Sequence, residues 1–130
     1  MFTLTQIKTA HAKVKSGADF PNYINALSTL GITQYVHFVA DGCIEYCGAN
    51  NFSIASNAKW DVIAIAKVAS KELLQHALTI HQQGQTDYLT FCKQAGEAGV
   101  QKWIVDITAM TCTYYDLNQN EMITEFIPRV

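Results

Sequence analysis

The chain has 130 residues, 9 Lys plus Arg, 11 Asp plus Glu, and a formal net charge of −2. Apolar residues make up 49% and charged residues 15%, which excludes intrinsic disorder and gives enough material for one domain, 1–130, with a sizeable core. No apolar run approaches the roughly 18 residues of a membrane span, and Lys8 and Lys13 interrupt the stretch where a secretory signal would lie. A soluble, cytoplasmic protein is expected.

Charge and cysteine narrow the partners. The only arginine is Arg129, and the lysines are scattered through a slightly acidic chain. No basic stripe exists, so nucleic-acid binding is not expected. Cys43, Cys47, Cys92 and Cys112 are read as reduced thiols.

Elements follow in chain order. Leu4, Ile7, Ala10, His11 and Val14 recur at helical spacing, with Gly17 as the stop. Asp19 can cap a second helix with Pro21 in its first turn; Phe20, Tyr23, Ile24, Leu27 and Leu30 form its stripe, and Gly31 ends it. The period then changes to two. Ile32 to Val39 predicts a strand, Asp41-Gly42 a two-residue hairpin turn, and Cys43 to Cys47 the returning strand. Phe52 to Ser56 reads as another strand. Asp61 to Ala66 is apolar and reads as a strand, with a helical start as the alternative.

A third helix begins near Ser70, carries Leu74, Ala77, Leu78 and His81, and stops at Gly84. A fourth is capped by Thr86 or Asp87, buries Tyr88, Phe91, Cys92, Ala95 and Ala98, and stops at Gly99. Strands follow at Val100 to Thr108, Thr111 to Asp116 and Glu121 to Ile127, with a turn at Leu117 to Asn120 and Pro128 as the end. The fold class is α+β: two helix-helix-hairpin-strand units sharing an antiparallel sheet packed by helices.

The two units, 1–67 and 68–130, match at an offset of 68. Asp19 falls on Asp87, Gly31 on Gly99, Tyr35 on Trp103, Val36 on Ile104 and Tyr46 on Tyr114. Identities are near chance, so the matched aromatic positions and boundaries carry the comparison. An internal duplication and the convergence of two similar units account for it equally well.

A two-residue turn at Asp41-Gly42 would place His37 opposite Tyr46. Alternation puts Tyr35, His37 and Val39 on one face, and the matching Trp103, Val105 and Ile107 are all apolar. His37 is therefore expected to point into the core. His37, Tyr46, Trp103 and Tyr114 form the candidate pocket. A histidine held against a tyrosine can act as a general base. The favoured reading is a buried histidine satisfied by a tyrosine hydroxyl. Trp60 and Tyr115 complete an aromatic set that could line a pocket.

Metal and cofactor chemistry find little support. Cys43 and Cys47, four apart on a strand, lie about 13 Å from each other, too far to share a zinc ion. His76 and His81 do not share a helix face. No G-x-S-x-G or glycine-rich phosphate loop occurs. Asp106 and Asp116, on neighbouring strands, are expected on a solvated face. No metal and no cofactor is expected.

Two stretches carry a resemblance. One runs His11-Ala-Lys-Val-Lys-Ser-Gly-Ala-Asp-Phe-Pro21, then Leu30-Gly31, Val39-Ala-Asp-Gly42 and Tyr46. The other is Thr86-Asp-Tyr-Leu-Thr-Phe-Cys92, Ala98-Gly-Val100, Trp103, Val105-Asp106 and Met110-Thr-Cys-Thr-Tyr-Tyr-Asp116. Together they resemble the YbcV-like family of small bacterial proteins of unknown function. Some of its members are labelled "phage envelope protein" and some lie in prophage regions. The resemblance implies no catalytic residues, because the family has no established activity.

The leading functional reading is a non-catalytic module that binds a small molecule or another protein, as a homodimer. An enzyme using His37 with Tyr46 for acid-base chemistry is the alternative, and a prophage-encoded regulator of a host protein the third.

Overall fold

The computed structural model describes residues 2–15 and 19–128. Gly17, the expected stop of the first helix, and Arg129 lie outside them. Helix α1, Leu4–His11, opens with a capping box: the Thr3 hydroxyl accepts from the Gln6 amide, and the Gln6 side chain accepts from the Thr3 amide. Helix α2 spans Phe20–Thr29 with Pro21 in its first turn. Asp19 precedes it but makes no side-chain cap; its carboxylate accepts from the Lys15 amide instead. Helix α3, Lys71–Gln82, is capped by Ser70, and helix α4, Tyr88–Glu97, by Asp87.

Six strands make one open antiparallel sheet: β1 Ile32–Phe38, β2 Ile44–Gly48, β3 Ser53–Ala55, β4 Val100–Asp106, β5 Thr111–Asp116 and β6 Glu121–Phe126. Their spatial order is β3-β2-β1-β4-β5-β6. Each group of three is a meander following its own helix pair, and β1 and β4 join the groups at the centre. All four helices bear on one core, where Tyr35, Val39, Tyr46, Trp103, Val105 and Tyr114 meet Ile24, Leu27, Leu74, Leu78 and Phe91. The opposite sheet face carries Val36, Phe38, Ile104, Tyr115 and the 82% exposed Phe126. No described helix is long and apolar enough to cross a membrane.

The offset of 68 recurs in the hydrogen-bond register. Tyr35 pairs with Tyr46, and Trp103 with Tyr114. A bulge between Ile32 and Gln34 is matched by one between Val100 and Lys102. The central strands pair Val36 with Ile104, two residues that are themselves 68 apart. The Val39 amide donates to Gln101 O (3.0 Å) and the Ile107 amide to Thr33 O (2.9 Å), the same bond taken from either half.

Two expectations are corrected. The first hairpin is closed by four residues, Val39–Gly42, not by Asp41-Gly42 alone. The Phe38 amide bonds Cys43 O at 2.9 Å, and the Gly42 amide turns back to Phe38 O at 3.0 Å. Asp41 prefers its own local bond, accepting from the Cys43 amide at 2.9 Å. The register therefore shifts, placing His37 opposite Ile44 rather than Tyr46. The second correction is Asp61–Ala66, which forms no strand. No strand of the sheet pairs with it, and the segment 59–66 instead straps the molecule. Its Lys59 and Ile63 amides donate to Asp41 O and Ala40 O (both 2.7 Å), and its Ala66 amide to Gly96 O (2.9 Å).

Candidate functional site

His37 is 2% exposed on the inner face of β1. The antiparallel β1–β4 register sets Trp103 directly across from it. The two rings stack, with centroids 4.0 Å apart and planes 11° from parallel. Tyr88, at the start of α4, presents its ring edge-on to His37 at 5.4 Å and 74°. The strap supplies a third wall, Trp60, whose centroid is 6.4 Å from His37 and 5.8 Å from Tyr88. The Trp60 indole N–H is anchored on Val39 O at 3.3 Å.

Gly42 makes the Trp60 position available. Its φ is +75°, and a Cβ there would sit 2.8 Å from the Trp60 ring. Only glycine combines that backbone with that contact. Beside Trp60, the Lys59 ammonium donates to Gly42 O at 2.8 Å.

Neither ring nitrogen of His37 has a hydrogen-bond partner among the described residues. Burial, and secondarily the Lys59 charge, lower its pKa from 6.5 to about 3. The imidazole is thus neutral at physiological pH, holding one donor and one acceptor that nothing uses. Leaving such groups unpaired costs about 1–3 kcal/mol. At the matching position of the second half stands Val105, 1% exposed and opposite Tyr35. The architecture accepts an apolar residue in that place, so burial of an imidazole at His37 is not a requirement of the fold.

The other candidates divide into two groups. Tyr114 lies 5.6 Å from Trp103, and its hydroxyl donates to Glu125 at 3.3 Å, which also accepts from Gln82. Trp103 and Tyr114 thus extend the His37 stack. Tyr46 belongs elsewhere: it faces Tyr35 at 5.7 Å and shares a hydrogen bond with Tyr23. Burial raises the pKa of Tyr23, Tyr35 and Tyr46, so this trio is a neutral core network. Lys59 and Tyr88 had no site role in the sequence. The signal that could have found them was the histidine breaking a face that is apolar in the other half.

The other acids and thiols singled out in the sequence have local partners. Asp106 accepts from the Ala109 amide, and Asp116 from those of Asn118 and Asn120, each at 2.9 Å, so both acids shape turns. Cys43 Sγ points to Ser56 O and Cys47 Sγ to Glu45. All four cysteines are free, and among the described residues no group of three or more His, Cys, Asp or Glu could hold a metal ion. A separate cleft of about 120 Å³ between α3 and α4 is lined by Leu73, His76, Ala77, Gln94 and Glu97; it lacks any aromatic wall apart from the His76 ring.

A family model described as "Protein of unknown function (DUF1398)" matches residues 8–126. Uncharacterized proteins of Mycobacterium bovis and Mycobacterium tuberculosis are 32% identical to the chain over 66 residues, or 51% of its length. That match spans 40% of the length of these relatives.

Proposed function

Because the chain belongs to the DUF1398 family of unknown function, its role must be argued from its own residues, and we propose that it is a non-catalytic module binding a small planar molecule at His37. The observation that carries this is the pair of unused nitrogens on a buried, neutral imidazole walled by Trp103, Tyr88 and Trp60. Flat rings stack on such walls at centroid distances of about 4.5–7 Å. A ligand edge bearing both a donor and an acceptor would satisfy the imidazole and offset its desolvation. Tyr88, 41% exposed, is the least covered of the three walls, and admission of a ring requires it to turn outward.

Acid-base catalysis fits less well. Tyr46 neither faces His37 nor has a free hydroxyl, no carboxylate among the described residues orients the ring, and a base with a pKa near 3 is poorly matched to neutral pH.

The test is NMR titration with indole-3-carboxamide, a neutral planar probe. Binding should shift the His37 ring and Trp60 indole resonances, and a folded His37→Val should lose the Trp60 shift. Unchanged binding by His37→Val, or no shift at either ring in wild type, would overturn the assignment.

A further inference from the structure

Lys59 sits at the rim of the same enclosure. Its backbone amide is held by Asp41 O and its ammonium by Gly42 O, so the side chain is fixed beside the turn that Trp60 covers. An ammonium carries three donors, and the structure places one of them. Among the described residues no carboxylate pairs with it. The nearest acid in the turn, Asp41, directs its carboxylate to the Cys43 amide. The ammonium's field nevertheless reaches inward: it adds to burial in lowering the pKa of His37, and it partly offsets the burial that raises Cys92. Partial desolvation lowers the pKa of Lys59 itself. The Asp41 carboxylate acts on the ammonium only through space, and no carboxylate among the described residues is hydrogen-bonded to it, which favours a ligand that supplies one.

We propose that the enclosure takes a planar aromatic anion, its ring on Trp60 in the place that Tyr88 vacates by turning outward, its edge on the His37 nitrogens and its carboxylate on Lys59. This rests on the small-molecule-binding reading of His37 and adds the charge class of the ligand. Stacking supplies the apolar part of the affinity. The carboxylate takes up the unused Lys59 donors, a charge-assisted contact in a partly water-excluded place.

Titration of the wild-type protein with indole-3-carboxylate and with indole-3-carboxamide separates the two readings. The carboxylate should bind about tenfold more tightly than the amide, the difference expected of one hydrogen-bonded charge pair. Lys59→Gln should remove that preference, bringing the two probes to equal affinity, whereas Lys59→Arg should keep it. Rising salt should weaken the carboxylate alone. Equal affinities for the two probes in wild type, or an unaltered preference in a folded Lys59→Gln, would overturn the anion assignment and leave the His37 site standing. Failure of both probes to shift the His37 and Trp60 resonances would overturn both. Near-UV circular dichroism of each variant establishes that it is folded.

Discussion

The imidazole of His37 lies flat on the indole of Trp103, 4.0 Å between centroids, with neither of its nitrogens hydrogen-bonded to any described residue. The stack holds the ring in one plane and gives it aromatic contact, but it does nothing for the polar atoms. The energetic cost is concentrated at the ring edge, where a ligand could relieve it.

One consequence concerns stability. His37→Phe keeps a stacking ring and removes the unpaired nitrogens, so the variant should be as stable as wild type or more so, by up to about 1–2 kcal/mol. Urea unfolding measures it. A loss above about 1 kcal/mol would mean that the imidazole has a stabilising partner.

Acid should tell the same story. The folded-state pKa of His37, about 3, lies below its ordinary 6.5. Between those values the unfolded chain binds a proton that the folded chain refuses. Stability from this residue is therefore intact above pH 6.5 and falls as pH drops toward 3, by at most about 1.4 kcal/mol per pH unit. Between pH 6.5 and 5, above most carboxylate titration, wild type should lose up to about 2 kcal/mol and His37→Phe distinctly less. Equal losses in the two proteins would contradict the buried neutral ring.

The tyrosine network gives a double-mutant test. Tyr23 and Tyr46 share a hydrogen bond, so Tyr23→Phe and Tyr46→Phe should couple by about 0.5–1.5 kcal/mol. His37→Phe with Tyr46→Phe should be nearly additive, because His37 bonds neither Tyr46 nor Tyr23. Strong coupling in the second cycle would restore the cross-strand pair that the register denies.

Gly42 and Gly31 isolate the Trp60 contact. Both have positive φ, +75° and +98°, but a Cβ at Gly31 meets nothing within 4 Å, while one at Gly42 meets the Trp60 ring at 2.8 Å. Each change to Ala carries backbone strain of about 1 kcal/mol. Gly42→Ala should cost more than Gly31→Ala and should red-shift tryptophan emission as Trp60 moves toward water. Identical emission from the two variants would argue against a packed strap.

Thiol accessibility offers a final check. Burial raises Cys92 and Cys112 to about 12, while Cys43 and Cys47 are only partly covered and are raised less. Native protein should titrate two thiols slowly and all four only in denaturant. Two fewer thiols in denaturant would indicate a disulfide.

Much of the architecture was legible locally. The helix starts at Ser70 and Asp87 follow from side chains that can bond their own third amide. The inner face of β1 follows from the alternation of Tyr35, His37 and Val39, all three buried. What failed depended on partners distant in sequence. Asp-Gly favours a two-residue turn in isolation, but Asp41 O and Ala40 O also receive the strap, which a short-range rule cannot see. Asp61–Ala66 has a strand's composition, yet its Ile63 and Ala66 amides go to the first hairpin's turn and to α4 rather than to a sheet edge. The candidate site was half visible for the same reason. His37 and Trp103 stand out as residues, whereas Tyr88 and Lys59 join them only through the packing of α4 and the strap.

The central ladder also bears on how the chain assembles. Within each half the strands are joined by short connections, but β1 and β4 pair residues such as Val36 and Ile104 across the whole strap and a helix pair. Closing that long loop costs more entropy than any hairpin here, so it should come late in folding. On the ribosome the first three strands emerge before β4 exists. Until it arrives, β1 presents a bare edge, Ile32 to Phe38, which can recruit the same edge of a neighbouring nascent chain. Rapid synthesis at high concentration should therefore trap strand-exchanged assemblies, and slowing synthesis should spare them.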